Sequence, residues 1–306
     1  MCEPDTVDAR VTTVTDGGIE TDLIHRRGAT LDEFAAFPLV ETVDGRAMLR
    51  GYFDGYAAIA SSRHRGLMLE SPTWRASPDW GALLGYTTDD LTRVNIAAID
   101  FMKELRRAYT DAVGDIRISG TIGPRRDGYS PSDALEPADA AAYHRPQIAA
   151  FATAGADLTT AYTITHVGEA VGIVRAARQE GLPVAVSFTV ETDGRLASGD
   201  SLADAVARVD EAAAPDYFLV NCAHPRHIEA ALDVAGEWTR RIAGTRANAS
   251  TAGHDDLDEA VARGDGTPGE FAEAQRRLMA LLPHLSIVGG CCGTDARHIA
   301  AAFDTP

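Results

Sequence analysis

The chain has 306 residues, 45% of them hydrophobic and 24% charged, with a formal net charge of −17. That acidity argues against a nucleic-acid surface, which needs clustered Lys and Arg, and against docking on anionic lipid. No stretch approaches the roughly 18 consecutive apolar residues of a membrane-spanning helix.

In chain order, the opening Met-Cys-Glu-Pro-Asp lacks the basic and apolar regions of a signal peptide, so a cytoplasmic location is expected. Apolar runs of strand length then alternate with helix-period stretches. The predicted strands are Val11–Thr15, Gly66–Leu69, Ile116–Gly120, Leu158–Thr163, Val184–Thr189, Tyr217–Val220, Arg241–Thr245 and Ser286–Gly289. Thr87-Thr88-Asp89-Asp90 reads as a capping box ahead of a helix over Leu91–Tyr109. Pro146 is expected to kink or restart a helix over Asp139–Ala154. The helix His166–Gln179 stops at Gly181 and Pro183, and Ser201 caps the one that runs to about Ala213. His144 and His166 read as capping or surface residues.

Eight β-α units in strict alternation predict a parallel sheet, and eight is the number that closes a (β/α)₈ TIM barrel. An open doubly wound sheet is the alternative. Against it, the first strand runs into Asp16-Gly17-Gly18 and not into a G-x-G-x-x-G phosphate fingerprint. With no Pro/Gly/Ser-rich linker and no internal repeat, residues 1–306 are expected to form one domain. The sequence leaves the subunit count open and admits a homo-oligomer. The Gly- and Asp-rich loop Ala249–Gly269 suits a lid or an assembly surface.

The active site of such a barrel lies at the C-terminal ends of its strands. Those ends carry Asp16, Glu70, Arg125, Tyr162, Glu191, Asn221, Cys222, Asn248, Cys291 and Cys292. The sharpest signal is cysteine placement, with Cys222 after the sixth strand and the Cys291-Cys292 pair after the eighth. Cys2 lies near the chain start and is incidental, and four cysteines in a chain of this size are no disulfide framework. Three thiolates at strand ends can hold Zn²⁺ and leave a fourth position open, as a catalytic site requires. Gly289, Gly290 and Gly293 would free the backbone for adjacent ligands, and Thr294 would cap a helix over Asp295–Phe303. Buried structural cysteines are the plainer alternative. His224 and His227 follow Cys222, but Pro225 opens a helix there that carries them away from the metal.

A zinc bound by three thiolates is electron-rich, and its natural use is to bind a fourth sulfur as a nucleophilic thiolate. These residues, with Ser119-Gly120-Thr121-Ile122-Gly123-Pro124, Ala154-Gly155-Ala156-Asp157, Ser187-Phe188-Thr189, Val220-Asn221-Cys222 and Val288-Gly289-Gly290-Cys291-Cys292-Gly293-Thr294, resemble the homocysteine S-methyltransferase family. Asp16-Gly17-Gly18 and Arg27-Gly28 extend the likeness, which covers nearly the whole chain. The resemblance implies a (β/α)₈ barrel with Cys222, Cys291 and Cys292 as zinc ligands. It also implies that Asp16 and Gly17 help bind the acceptor, with Gly18 beside them, and that Asn221 supports the metal. Since no cobalamin or folate domain accompanies the barrel, a small onium compound such as S-methylmethionine or betaine is the expected methyl donor, and a small thiol such as homocysteine the acceptor.

The chain also departs from the family pattern. Ala161-Tyr162-Thr163 stands where members typically carry Cys-Glu-Thr, so Tyr162 replaces the glutamate that holds the acceptor's amino group. Glu70-Ser71-Pro72-Thr73-Trp74-Arg75 stands where members carry a short, uncharged polar run, and Arg246-Ala247-Asn248 where they show Tyr-Pro. Glu70 is the candidate to take over the ammonium, with Arg75 near a carboxylate and Arg246 pointing to a more anionic substrate. Alternatively, the acceptor is a thiol or selenol other than homocysteine, or Glu70 pairs with Arg75 and Arg246 bridges to loop acids. Trp74 and Tyr162 either pack in the core or enclose a methylated cation. A zinc hydrolase using Glu191 or Glu70 as base is a second functional reading, and a non-catalytic zinc- or thiol-binding protein a third.

Overall fold

The strands found in a computed structural model are β1 Thr13–Val14, β2 Gly66–Glu70, β3 Ile116–Ile122, β4 Leu158–Ile164, β5 Val184–Phe188, β6 Tyr217–Asn221, β7 Ile242–Ala247 and β8 Ile287–Gly290. The structure describes residues 12–304 apart from 129–134, 233–235, 258–259, 262–263, 265 and 283. All eight strands pair in parallel and in chain order, and the barrel closes when β1 meets β8, with Thr13 opposite Ile287. The closed sheet confirms the TIM barrel over the open alternative. β4 and β5 are buried along their whole length, as parallel strands with the barrel interior on one side and helices on the other must be. β5 accordingly reads as an almost continuous apolar run, while β4 also buries Thr159, Thr160 and Thr163. Val11, the first residue of the predicted strand one, and Cys2 lie outside the described residues.

Around the barrel run α1 Ile19–His25, α2 Val43–Ser62, α3 Pro78–Leu83, α4 Thr88–Tyr109, α5 Pro137–Ala154, α6 Val167–Gln179, α7 Leu202–Ala213, α8 Pro225–Ala231, α9 Pro268–Leu281 and α10 Ala296–Ala302. The Thr87–Asp90 capping box opens α4 as expected, and Ser201 caps α7 by accepting from the Asp204 N–H. α5 does not restart at Pro146. Tyr143, His144, Gln147 and Ile148 are buried on either side of the proline where α5 packs against α4 and α6, and that packing outweighs one lost helical hydrogen bond.

His144 is fully buried, not a surface residue: its Nε2 lies 2.9 Å from Glu169 Oε1, which also accepts from the Arg125 backbone N–H. His166 takes the N-cap position of α6 without a side-chain cap bond. At the chain's far end Asp295, and not Thr294, is the N-cap of α10, because its carboxylate accepts from the Arg297 and His298 N–H groups. The loop from β7 to α9 includes a 3₁₀ turn, His254–Asp256, while residues 258–259, 262–263 and 265 of the expected lid lie outside the described residues. No helix among the described residues is long and apolar enough to cross a membrane.

Candidate active site

β6 and β8 deliver three cysteines to one point. The Sγ atoms of Cys222, Cys291 and Cys292 all lie within 4.8 Å of one another, and those of Cys222 and Cys292 are 3.5 Å apart. Sulfurs at about 2.3 Å from a tetrahedral zinc would be separated by roughly 3.8 Å, so the cluster fits that ion with little movement. No other group of three or more His, Cys, Asp or Glu side chains converges in this way among the described residues, which leaves His224 and His227 outside the cluster. His224 instead caps α8, its Nδ1 accepting from the Arg226 N–H.

The backbone at this point is unusual. Cys222 has φ of 54° and Thr163 φ of 62°, left-handed values that side-chain-bearing residues rarely adopt. Asn221 lies between them and secures both turns. Its Oδ1 accepts from the Thr163 N–H at 2.9 Å and the Ser187 hydroxyl at 2.7 Å, while its Nδ2 donates to Thr163 Oγ1 and approaches Cys291 Sγ at 3.9 Å. One buried amide thus fastens the ends of β4, β5 and β6 to a candidate ligand. Of the three glycines of the cysteine loop only Gly293 takes a positive φ, 78°. Gly289 and Gly290 serve close packing instead: a Cβ on Gly290 would stand 2.1 Å from Thr294 Oγ1. Cys291 is held well below the ordinary thiol pKa by hydrogen bonds from Cys222 and Cys292 and by the positive charge of Arg246, against burial.

Beneath the sulfurs lies a cavity lined by Asp16, Gly17, Gly18, Glu70, Trp74, Tyr162, Asn221, Arg246, Cys291 and Cys292, among others. Its floor is a buried charge network. Arg246 lies 2.7 Å from Asp16 Oδ1 and 4.0 Å from Glu70 Oε1, and also donates to the Gly17 and Gly290 carbonyls. Tyr52 and Thr15 donate to Asp16; Tyr162 donates to Glu70 Oε1 at 2.6 Å and Thr121 to Oε2 at 3.1 Å. Burial raises the pKa of both carboxyl groups, against the pull of Arg246. The guanidinium stacks 4.7 Å over the Tyr162 ring, so phenol, guanidinium and two carboxylates form one unit.

With the geometry in view, comparison with known proteins is direct. The sequence model of the homocysteine S-methyltransferase family matches residues 13–305. The chain belongs to that family. The Escherichia coli homocysteine methyltransferase MmuM superposes with a TM-score of 0.76 in its oxidized form, at 20% identity over 96% of this chain and 95% of that one. Its metallated form gives 0.75, again at 20% identity, over 95% of each chain. At that identity the likeness establishes the shared barrel. A methionine synthase from Mycobacterium leprae is 36% identical over 132 residues, which make up 42% of this chain and 10% of that much longer protein.

Within this family of methyl-transferring enzymes, the chain's departures gain a structural meaning. Tyr162, Glu70 and Arg246, which stand at three separate strand ends, form one linked network with Asp16. Arg246 pairs at 2.7 Å with Asp16, an acid of the loop between β1 and α1, so it bridges to a loop acid and is not a free anion site. The Arg75 guanidinium lies 3.5 Å over the Trp80 ring and 4.8 Å over that of Trp74, while the partners of Glu70 are Tyr162, Thr121 and Arg246. Glu191 does not line the cavity and faces His254, whose Nδ1 is 2.8 Å away and whose Nε2 is 2.8 Å from the Cys222 carbonyl. Asn248 is buried with its backbone N–H on the Ala223 carbonyl, and it too stands outside the lining. Arg125 pairs with Asp79, away from the cavity.

Sequence reading missed Glu20, Phe34, Ser71 and Thr121, all of which line the cavity. Glu20 is the most consequential. It sits in the first turn of α1, and burial, with the charges of Cys291 and Asp16, pushes its carboxyl up to about 7. Its position directly after Asp16-Gly17-Gly18-Ile19, where a strand end turns into a helix, was the available signal.

Proposed function

We propose that this protein is a zinc-dependent S-methyltransferase that moves a methyl group from a small onium donor to a thiol such as homocysteine. The observation that carries the reading is the convergence of three cysteine sulfurs within 4.8 Å at the mouth of a barrel cavity. Bound there, zinc supplies the positive charge that lets a substrate thiol ionise near neutral pH while its sulfur stays nucleophilic. Cys222, Cys291 and Cys292 would hold the ion, and Asn221 would keep Cys291 oriented through its amide.

The rest of the chemistry needs positioning. The acceptor's thiol loses its proton to solvent; its sulfur forms a bond to the methyl carbon as the carbon–onium bond breaks. The bonding pair leaves with the donor, which becomes neutral. Trp74, Phe34 and Tyr162 give the cavity aromatic walls, and Asp16 and Glu70 give it negative charge, an environment that accepts a methylated cation. The Asp16–Arg246–Glu70–Tyr162 network fixes the floor so that the two substrates meet in line. We read residues 1–306 as one such domain, working in the cytoplasm where its thiols stay reduced.

Metal analysis tests the reading. The wild type should carry about one zinc per chain, and Cys292→Ala should lose both metal and methyl transfer, because two thiolates hold Zn²⁺ far less tightly. Full turnover by a metal-free preparation would contradict it.

A further inference from the structure

Three carboxylates line the cavity, and two of them are already engaged. Asp16 receives Arg246 at 2.7 Å, the Tyr52 hydroxyl at 2.9 Å and the Thr15 hydroxyl at 3.0 Å. Glu70 accepts on one oxygen from Tyr162 and on the other from Thr121. Arg246 is likewise occupied, by Asp16 and by the Gly17 and Gly290 carbonyls. Glu20 differs: no ion pair and no hydrogen bond from another side chain reaches it among the described residues. Arg75 is the cation whose charge acts on it, and that guanidinium lies stacked over two indole rings.

Glu20 is also held at a fixed place relative to the sulfurs. Its neighbour Thr21 accepts a hydrogen bond from the Gly293 N–H at 3.1 Å. On its other side, the backbone of Gly18 approaches the cysteine loop so closely that a Cβ there would stand 2.5 Å from the Cys291 carbonyl oxygen. The first turn of α1 therefore rides on the loop that carries two of the three cysteines. Glu20 is half-buried in the cavity lining, and a carboxylate there without a hydrogen-bonded cation is matched by a ligand ammonium.

We propose that Glu20 is the specificity-determining residue that receives the ammonium group of an amino-acid thiol acceptor, in place of the family's strand-four glutamate and of Glu70. The inference rests on the methyltransferase reading and deepens it. Tyr162 can replace a carboxylate at β4 because the negative charge has been supplied from α1, across the cavity mouth. Glu70 then serves the floor network.

The test compares two acceptors, homocysteine and 4-mercaptobutyrate, which keeps the thiol and carboxylate but lacks the amine. In the purified full chain, Glu20→Gln should raise KM for homocysteine by roughly 10-fold or more, the scale of a lost charged hydrogen bond, with kcat largely kept. KM for 4-mercaptobutyrate should stay unchanged, and Glu20→Asp should recover part of the homocysteine affinity. Isothermal calorimetry of both thiols gives the same comparison without turnover, so it decides the assignment even if no donor supports methyl transfer. An equal change for both acceptors would overturn the assignment. So would a rise confined to the KM of the donor, or a fall in kcat alone, which would make Glu20 a donor contact or a proton acceptor. Absence of methyl transfer from the wild type to any thiol would count against the proposed function, while the affinities measured by calorimetry would still support or overturn the role of Glu20.

Discussion

At the residue scale, the cavity is decided by which groups neutralise which. Tyr162 donates to Glu70 and carries Arg246 on its ring face, so removing only its hydroxyl separates those two contributions. Tyr162→Phe should destabilise the fold by about 1–3 kcal/mol, because a buried carboxylate oxygen loses its donor while the stacking survives. Urea unfolding measures this; an unchanged midpoint would mean that the hydroxyl adds nothing to the network. Tyr162→Glu should be worse, placing a second carboxylate beside Glu70, and should lower kcat/KM for homocysteine. A gain in homocysteine turnover would instead mean that α1 does not already supply the charge. The three cysteines were legible in the sequence because a Cys-Cys pair and a third cysteine at strand ends are a rare pattern. Glu20 was signalled only by its place after Asp16-Gly17-Gly18-Ile19, since nothing in the sequence says that α1 leans on the cysteine loop. That contact exists only once β1 and β8 have paired.

At the element scale, β5 was readable because a parallel strand buried on both faces is largely apolar, whereas β4 buries Thr159, Thr160 and Thr163 and was legible mainly from its place in the β-α alternation. Misreadings fell where local rules compete with packing or with each other. Pro146 lies inside an unbroken α5, and the cap of α10 falls on Asp295 because its carboxylate can also meet Arg26 at 2.9 Å and Arg297 at 2.7 Å, as Thr294 cannot. Thr294 uses its hydroxyl on the Cys291 carbonyl instead. Burial opposes the charge of Asp295, but His298, Arg297 and Arg26 outweigh it and hold the carboxyl well below the usual carboxylate range. Asp295→Asn keeps a good N-cap and removes the charge, so it should cost about 1–2 kcal/mol at pH 7. A depressed folded pKa gives stability that is full above the unfolded value, about 3.9, and is lost as pH falls toward the folded one. The gap between wild type and variant should therefore close below about pH 4. Chemical denaturation across pH would contradict the account if the gap widened on acidification.

At the scale of the whole molecule, the barrel brings residues from both ends of the chain to one cavity: Asp16 follows β1, and Cys291-Cys292 follow β8, its partner in closure. The alternation of β and α units made that architecture legible, whereas the facing of Tyr162, Glu70, Arg246 and Asp16 depended on barrel tilt and stagger, which no local pattern encodes. Because the three sulfurs proposed to hold zinc lie at the ends of β6 and β8, metal binding should be linked to folding. At free zinc 100-fold above its dissociation constant the gain is about 2.7 kcal/mol, so a chelator should lower Tm by several degrees and added zinc should restore it. The most direct test of the central claim follows a labelled methyl group. Protein as purified is given homocysteine with S-methylmethionine or betaine carrying a deuterated donor methyl, then treated with chelator, then resupplied with zinc, and the product is read by mass spectrometry at each stage. The account predicts deuterated methionine from the first and third stages and none from the second. Undiminished transfer by the zinc-free protein would contradict it.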